Sequence, residues 1–162
     1  MGKAGSFSEK DFSIQKHWKI AIVKARFNAN IVDKLEESVL RGLKELGIED
    51  NQILNLEVPG ALEIPLATRW ALQDLDCAGA VTLGSVIRGE TTHYEYVCNG
   101  VERGLTHLQL TTGKPIAQVV LTTENLQQAL DRCGGSAGDK GEEGAQVLLQ
   151  MLSMKHKLDI ES

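Results

Sequence analysis

"AGAVTLGSVI", Ala78 to Ile87, runs directly into "RGETTHYEYV", Arg88 to Val97. The first stretch carries no charge and is apolar enough to be covered on both faces, as a strand inside a parallel sheet is. The second begins with Arg, Gly, Glu, two Thr and His, then takes on helical spacing, and the pattern predicts a helix from about Thr92 to Thr111. A surface turn needs only Gly, Asn or Asp. So much polar chemistry directly after a buried strand marks a candidate ligand loop.

The same alternation extends to both sides. "WKIAIV" (Trp18 to Val23) reads as a buried strand. In the segment after it, Ile31, Leu35, Val39, Leu43 and Leu46 share one helical face, and Gly47 is a stop signal. Gln52 to Val58 reads as a second strand. Leu62 to Leu75 reads as a helix with Pro65 in its first turn, where proline is tolerated. Pro115 to Leu121 is a further strand. A helix with Thr123 as N-cap and Gly134 as stop follows, then a last helix from about Gly138 to His156. Strands alternating with helices predict an α/β fold: a three-layer, flavodoxin-like arrangement with a four-stranded parallel sheet. Residues 1 to about 16 are polar and read as a flexible arm that adds an edge strand at most.

At 162 residues and 42% hydrophobic content, the chain suits one globular domain. Its net charge of -5 argues against a nucleic-acid binder, so any anion must be held by local groups. No run approaches the roughly 20 apolar residues of a membrane span. The N-terminus lacks the apolar core of a secretory signal, and the expected location is cytoplasmic. Cys77, Cys98 and Cys133 are odd in number and far apart, which predicts reduced thiols, mostly small buried residues, and no zinc or disulfide framework.

Ligands of such sheets bind beyond the carboxyl ends of the strands. The unusual polar residues gather at those exits: "KARFN", "VPGALEIP", "SVIRGETTHYEY" and "TTEN". Gly89 to Thr92 lead into a helix, whose free N–H groups and dipole attract an anion, phosphate most often. Neither a Walker P-loop nor a G-x-G-x-x-G is present. His93 lies in the first turn, where the dipole favours a neutral imidazole able to move protons. Taken singly, each residue has a bland reading as well. His93 can bond locally, Arg132 can compensate a helix dipole, and Lys140 can be a solvated charge. Glu63 can be a first-turn acid, Phe27 can be core, and Arg88 can support its loop.

Taken together, "ARFN", "VPGALEIP", "LGSVIRGETTHYEYV", "VLTTEN" and "DRCGGSAGDKG" resemble the 6,7-dimethyl-8-ribityllumazine synthase family in order and spacing. The likeness runs from about residue 18 to 156, making residues 17–162 one domain of that kind. It implies condensation of 5-amino-6-(D-ribitylamino)uracil with 3,4-dihydroxy-2-butanone 4-phosphate, without metal or cofactor. It implies that Phe27 stacks on the pyrimidine, that Ala61, Leu62 and Glu63 line the ribityl chain and ring, and that Ser85, Val86 and Ile87 contact the heterocycle. Glu90 and Thr91 would offer amides to phosphate, Arg132 its counter-charge, and His93 the proton transfer. It further implies a homo-pentamer with the site between subunits, Arg132 and Gln118 coming from the neighbour.

Three positions depart from the pattern. Leu62 stands where an aromatic is usual, Gln118 where Phe is usual, and Ser136 where many members have Lys. Gln118 can hydrogen-bond the pyrimidine rather than pack on it. The "GGSAGDKG" loop has the length, and part of the chemistry, of the members that build sixty-subunit capsids, so the resemblance leaves a pentamer and a capsid of sixty subunits both open. Two other readings use fewer of these residues: a non-catalytic flavin or lumazine binder, and an electron carrier holding FMN.

Overall fold

The computed structural model describes Ser8 and residues 11–162. Ile20–Ala25 (β1) divides its side chains between two apolar clusters. Ile20 and Ile22 enter one, and Ala21, Val23 and Ala25 the other. That double burial is why the run carries almost no polar residue. Ile53–Val58 (β2) pairs parallel to one side of β1, and Gly79–Ile87 (β3) to the other. Ile116–Thr123 (β4) pairs parallel to β3, giving the order β2-β1-β3-β4. The flavodoxin-like three-layer fold with four parallel strands is therefore the one the sequence predicts.

The two clusters are built differently. On one face, Ala29–Glu45 (α1) and Lys140–Glu161 (α5) cover Ile20, Ile22, Val81, Leu83 and Val119 with Leu35, Val39, Leu148 and Leu149. On the other, Ile64–Arg69 (α2) and His93–Thr112 (α3) cover Ala21, Val23 and Ala80 with Ala67 and Leu105. The two helices also lie close to each other. The Gly104 backbone approaches Pro65 so nearly that an added Cβ would lie 2.9 Å from the ring.

Several boundaries differ from the sequence reading, each for a local reason. The segment after Pro59 is not one helix. A 3-10 turn at Ala61–Glu63 precedes α2, and a π turn at Trp70–Asp74 follows it, closed by the Leu75 N–H on the Trp70 carbonyl at 3.0 Å. Thr123 is not an N-cap. Pairing with Ile87 keeps it in β4, and Asn125 caps Leu126–Leu130 (α4) by accepting from the Gln128 N–H at 2.9 Å. Gly138 is not in the last helix. It belongs to a hairpin of Cys133–Gly135 (β5) and Gly138–Asp139 (β6), and α5 starts where Asp139 caps Gly141 and Glu142.

Residues 1–7, 9 and 10 of the expected arm lie outside the described residues. Residues 11–16 form no strand. Phe12 and Ile14 pack on the α1–α5 cluster, the Ser13 N–H donates to Ser153 Oγ at 2.8 Å, and the Gln52 amide donates to the Gln15 carbonyl at 3.0 Å. Among the described residues no helix is long and apolar enough to cross a membrane. Cys77, Cys98 and Cys133 are free thiols, all raised in pKa first by burial.

Candidate active site

From β1 the chain goes to β2 on one side, then crosses to β3 on the other. The carboxyl ends of β1 and β3 therefore lie at the switch point where such sheets open a crevice. Asn28, at the β1 exit, takes the left-handed conformation with φ of 58°, which Asn tolerates better than most residues. Its amide donates to the Ser85 carbonyl at 2.8 Å, tying the β1 exit to β3.

A cavity of about 380 Å³ opens there. Phe27, Ala61, Leu62, Glu63, Ser85, Val86, Ile87, Thr91 and His93 all line it. Three strand exits and the start of α3 thus converge on one space. The Phe27 ring is 71% exposed, free to meet a flat ligand face to face. Glu63 sits in the 3-10 turn with its carboxylate over Gly60, where an added Cβ would stand 3.2 Å from Oε2. Ser85 is buried, and among the described residues its hydroxyl has no hydrogen-bond partner. Buried hydroxyls are nearly always bonded, so a free one beside a cavity is a group that a ligand can satisfy.

His93 is the first residue of α3, and its ring stacks on Tyr96 with centroids 6.0 Å apart. Thr92, the N-cap, makes no side-chain cap, while Thr91 Oγ1 accepts from the His93 N–H at 3.3 Å. The start of α3 thus keeps backbone donors beside the imidazole, an arrangement suited to an anion next to a proton carrier. Glu90 differs from its neighbours. Its side chain is exposed at the turn and does not line the cavity, although Gly89 and Thr91 do.

Gln118 and Arg132 lie elsewhere. They line a second cavity, of about 340 Å³, between β4 and α5, together with Lys140 and Glu143. The β5–β6 hairpin brings the two cations to one wall, with the Lys140 N–H bonded to the Arg132 carbonyl at 2.9 Å. Arg132 Nη1 donates to the Gln128 carbonyl at 2.7 Å, and Lys140 pairs with Glu143 at 2.6 Å. The Gln118 amide donates to Thr106 Oγ1 at 3.4 Å. A single copy of the chain therefore holds two separate sets of the expected residues.

Tyr94, Val97 and Gly60, which the sequence reading does not single out, also line the first cavity, and Lys140, for which it leaves a solvated charge open, lines the second. Tyr94 was legible only as the neighbour of His93. Burial pushes its phenol up, with the hydroxyl paired to Thr122 and Cys98. Arg88 does not line the cavity although Ile87 and Gly89 do. Its guanidinium pairs with Glu124 at 2.7 Å and with Glu95, and lies 4.2 Å from the centre of the Tyr94 ring. The hydrogen bond from Arg88 is the first cause holding the Glu95 carboxyl below its ordinary value. Among the described residues no three of His, Cys, Asp and Glu gather as metal ligands would.

The model of the 6,7-dimethyl-8-ribityllumazine synthase family matches residues 17–156. A protein of that name from Bdellovibrio bacteriovorus is 49% identical over 140 residues, covering 86% of this chain and 76% of its own. One from Pediococcus pentosaceus is 43% identical over 143 residues, covering 88% of this chain and 92% of its own.

Proposed function

Since the chain belongs to the 6,7-dimethyl-8-ribityllumazine synthase family, transferase-type enzymes of riboflavin biosynthesis, we propose that it condenses 5-amino-6-(D-ribitylamino)uracil with 3,4-dihydroxy-2-butanone 4-phosphate. The products are 6,7-dimethyl-8-ribityllumazine, inorganic phosphate and water. The observation that carries this reading is the convergence of Phe27, Ala61–Glu63, Ser85–Ile87, Thr91 and His93 on one cavity at the switch point of the sheet.

In this reading Phe27 stacks on the pyrimidine, and Glu63 accepts hydrogen bonds from the polyol. The Ser85–Ile87 strand end recognises the heterocycle edge, and Leu62 packs where a ring is more usual. The amino group attacks the ketone, water leaves, and a Schiff base forms. Loss of the phosphate ester's C–O bond then gives an enol, whose tautomer is attacked by the second nitrogen. Ring closure releases water again. Each step moves a proton, and His93 is placed to accept and return it, a contribution of about 10²–10⁴-fold. Holding both reactants in one cavity removes much of the entropic barrier.

The phosphate needs more positive charge than the first cavity supplies. Glu90 and Thr91 contribute backbone N–H groups at the start of α3. Arg132, and Gln118 beside it, belong to the second cavity. We therefore assign the complete site to the junction of two copies, the first cavity of one facing the second cavity of the next, in a homo-pentamer. The separation of the two residue sets within one chain supports this arrangement.

The test is a turnover assay with both substrates, following lumazine fluorescence and phosphate release above the spontaneous rate. Stoichiometric acceleration of both is expected. No acceleration, with lumazine still bound, would make the site a receptor and end the proposal.

A further inference from the structure

The first turn of α3 carries His93, yet Thr92, its N-cap, gives it no side-chain cap. Such caps contribute about 1 kcal/mol by satisfying free N–H groups of the first turn. Arg88 contacts this turn from outside it. Arg88 stands at the exit of β3, where its N–H donates to the Thr123 carbonyl of β4 at 2.9 Å. Its guanidinium reaches forward to Glu95, two residues beyond His93, and sideways to Glu124, just past β4. The same plane lies 4.2 Å from the centre of the Tyr94 ring, which lines the cavity. One side chain thus joins the β3 exit, the start of α3 and the β4 exit. A planar fork with fixed donors and a face that stacks on an aromatic ring suits this task better than an ammonium.

We infer that Arg88 is the positioning residue of the site: it fixes the first turn of α3, and with it His93 and the Thr91 end of the phosphate cradle, against the sheet. This rests on the proposed synthase activity. Arg88 does not line the cavity, so it acts on the reaction only through the residues it holds. Phe27, Ala61 and Glu63 sit on other exits and do not depend on it. Its loss is therefore a loss of alignment for proton transfer, and small misplacements of that kind cost on the order of 10²-fold in rate.

The test compares wild type, Arg88→Met, Glu124→Gln and the double variant in steady-state assays. For Arg88→Met, kcat is expected to fall about tenfold or more, with KM for the uracil substrate unchanged. Glu124→Gln keeps the side-chain shape and should lower kcat in the same direction. The double variant should be no slower than Arg88→Met, because the two residues act through one contact. Arg88→Lys should recover only part of kcat. A merely structural role would lower thermal stability and would not separate kcat from KM. Equal kcat in a folded Arg88→Met, or additive effects in the double variant, would overturn the assignment. Should Arg88→Met fail to fold, Glu124→Gln decides: an unchanged kcat overturns it. A wild type that does not accelerate the reaction overturns the synthase reading, and the role given to Arg88 falls with it. An active wild type with indifferent variants overturns the role alone.

Discussion

His93 is exposed at the start of α3, beside the cavity, with its ring against Tyr96. Its exposure means that removal should touch chemistry and not folding. His93→Ala is expected to lower kcat about 100-fold or more, the low end of acid–base contributions, with an unchanged unfolding midpoint. Equal turnover across a range of pH would take His93 out of the mechanism. Arg132 makes a different case. Its guanidinium holds a helix carbonyl and faces the second cavity beside Lys140. Arg132→Ala should weaken the phosphorylated ketone by about 1.5–3 kcal/mol, the range for a hydrogen bond to a charged group, and leave the uracil's affinity alone. Direct titration of both ligands separates the two. At this scale much of the site was legible. Phe27, Glu63, Thr91 and His93 are residue types out of place at strand exits, and each lines the cavity. Glu90 was legible only as a backbone position, and Lys140 stayed undecided because a lysine near a helix start is usually solvated.

Among the elements, the helices owe their exact ends to contacts that no single segment contains. α5 begins at Lys140 because Asp139 caps it, and Asp139 is itself held by Ser38 of α1 at 2.7 Å and Arg41 at 3.1 Å. The next residue is Gly141. An added Cβ there would lie 2.6 Å from the Leu35 carbonyl oxygen and 2.7 Å from Ser38 Cβ, both on α1. Gly141→Ala should push the two helices apart and destabilise the fold by about 1–3 kcal/mol, the usual cost of overpacking. Gly89→Ala, with nothing within 4 Å of its added Cβ, is the control for urea unfolding. Equal midpoints for both would mean α1 and α5 tolerate separation. Sequence periodicity located α1 and α3 closely because each runs for several turns with one buried face. It failed around Pro65 and Gly138, where a π turn and a short hairpin satisfy backbone groups in ways that apolar spacing does not report.

For the whole molecule, the decisive feature is that, among the described residues, the expected site residues line two separate cavities of one chain. If neighbouring copies complete each other's site, two defective variants should repair one another. His93→Ala and Arg132→Ala proteins, unfolded together and refolded, would place an intact His93 opposite an intact Arg132 at about a quarter of the interfaces in a mixed ring. Activity at low ketone concentration should then exceed the mean of the two parents severalfold. A mixture that only averages them would mean each copy works alone. The acidic net charge of -5 bears on the same point. An anionic substrate must find its cations locally, and Arg132 and Lys140 are gathered by the β5–β6 hairpin far along the chain from His93.

What the amino-acid order determined by itself was the alternation of apolar strands and one-faced helices, and hence a parallel sheet with its chemistry at the strand ends. Those properties follow from local periodicity and from the need to bury both faces of the central strands. Periodicity and spacing did not decide which exits share a cavity; the tertiary structure did. The crossing from β2 to β3 past β1 brings Phe27 and His93 together and sends Gln118 and Arg132 to the other side of β3, beyond the reach of any spacing rule. It also decided that Arg88 turns away from the cavity, because two carboxylates distant in sequence and an aromatic face meet its guanidinium there.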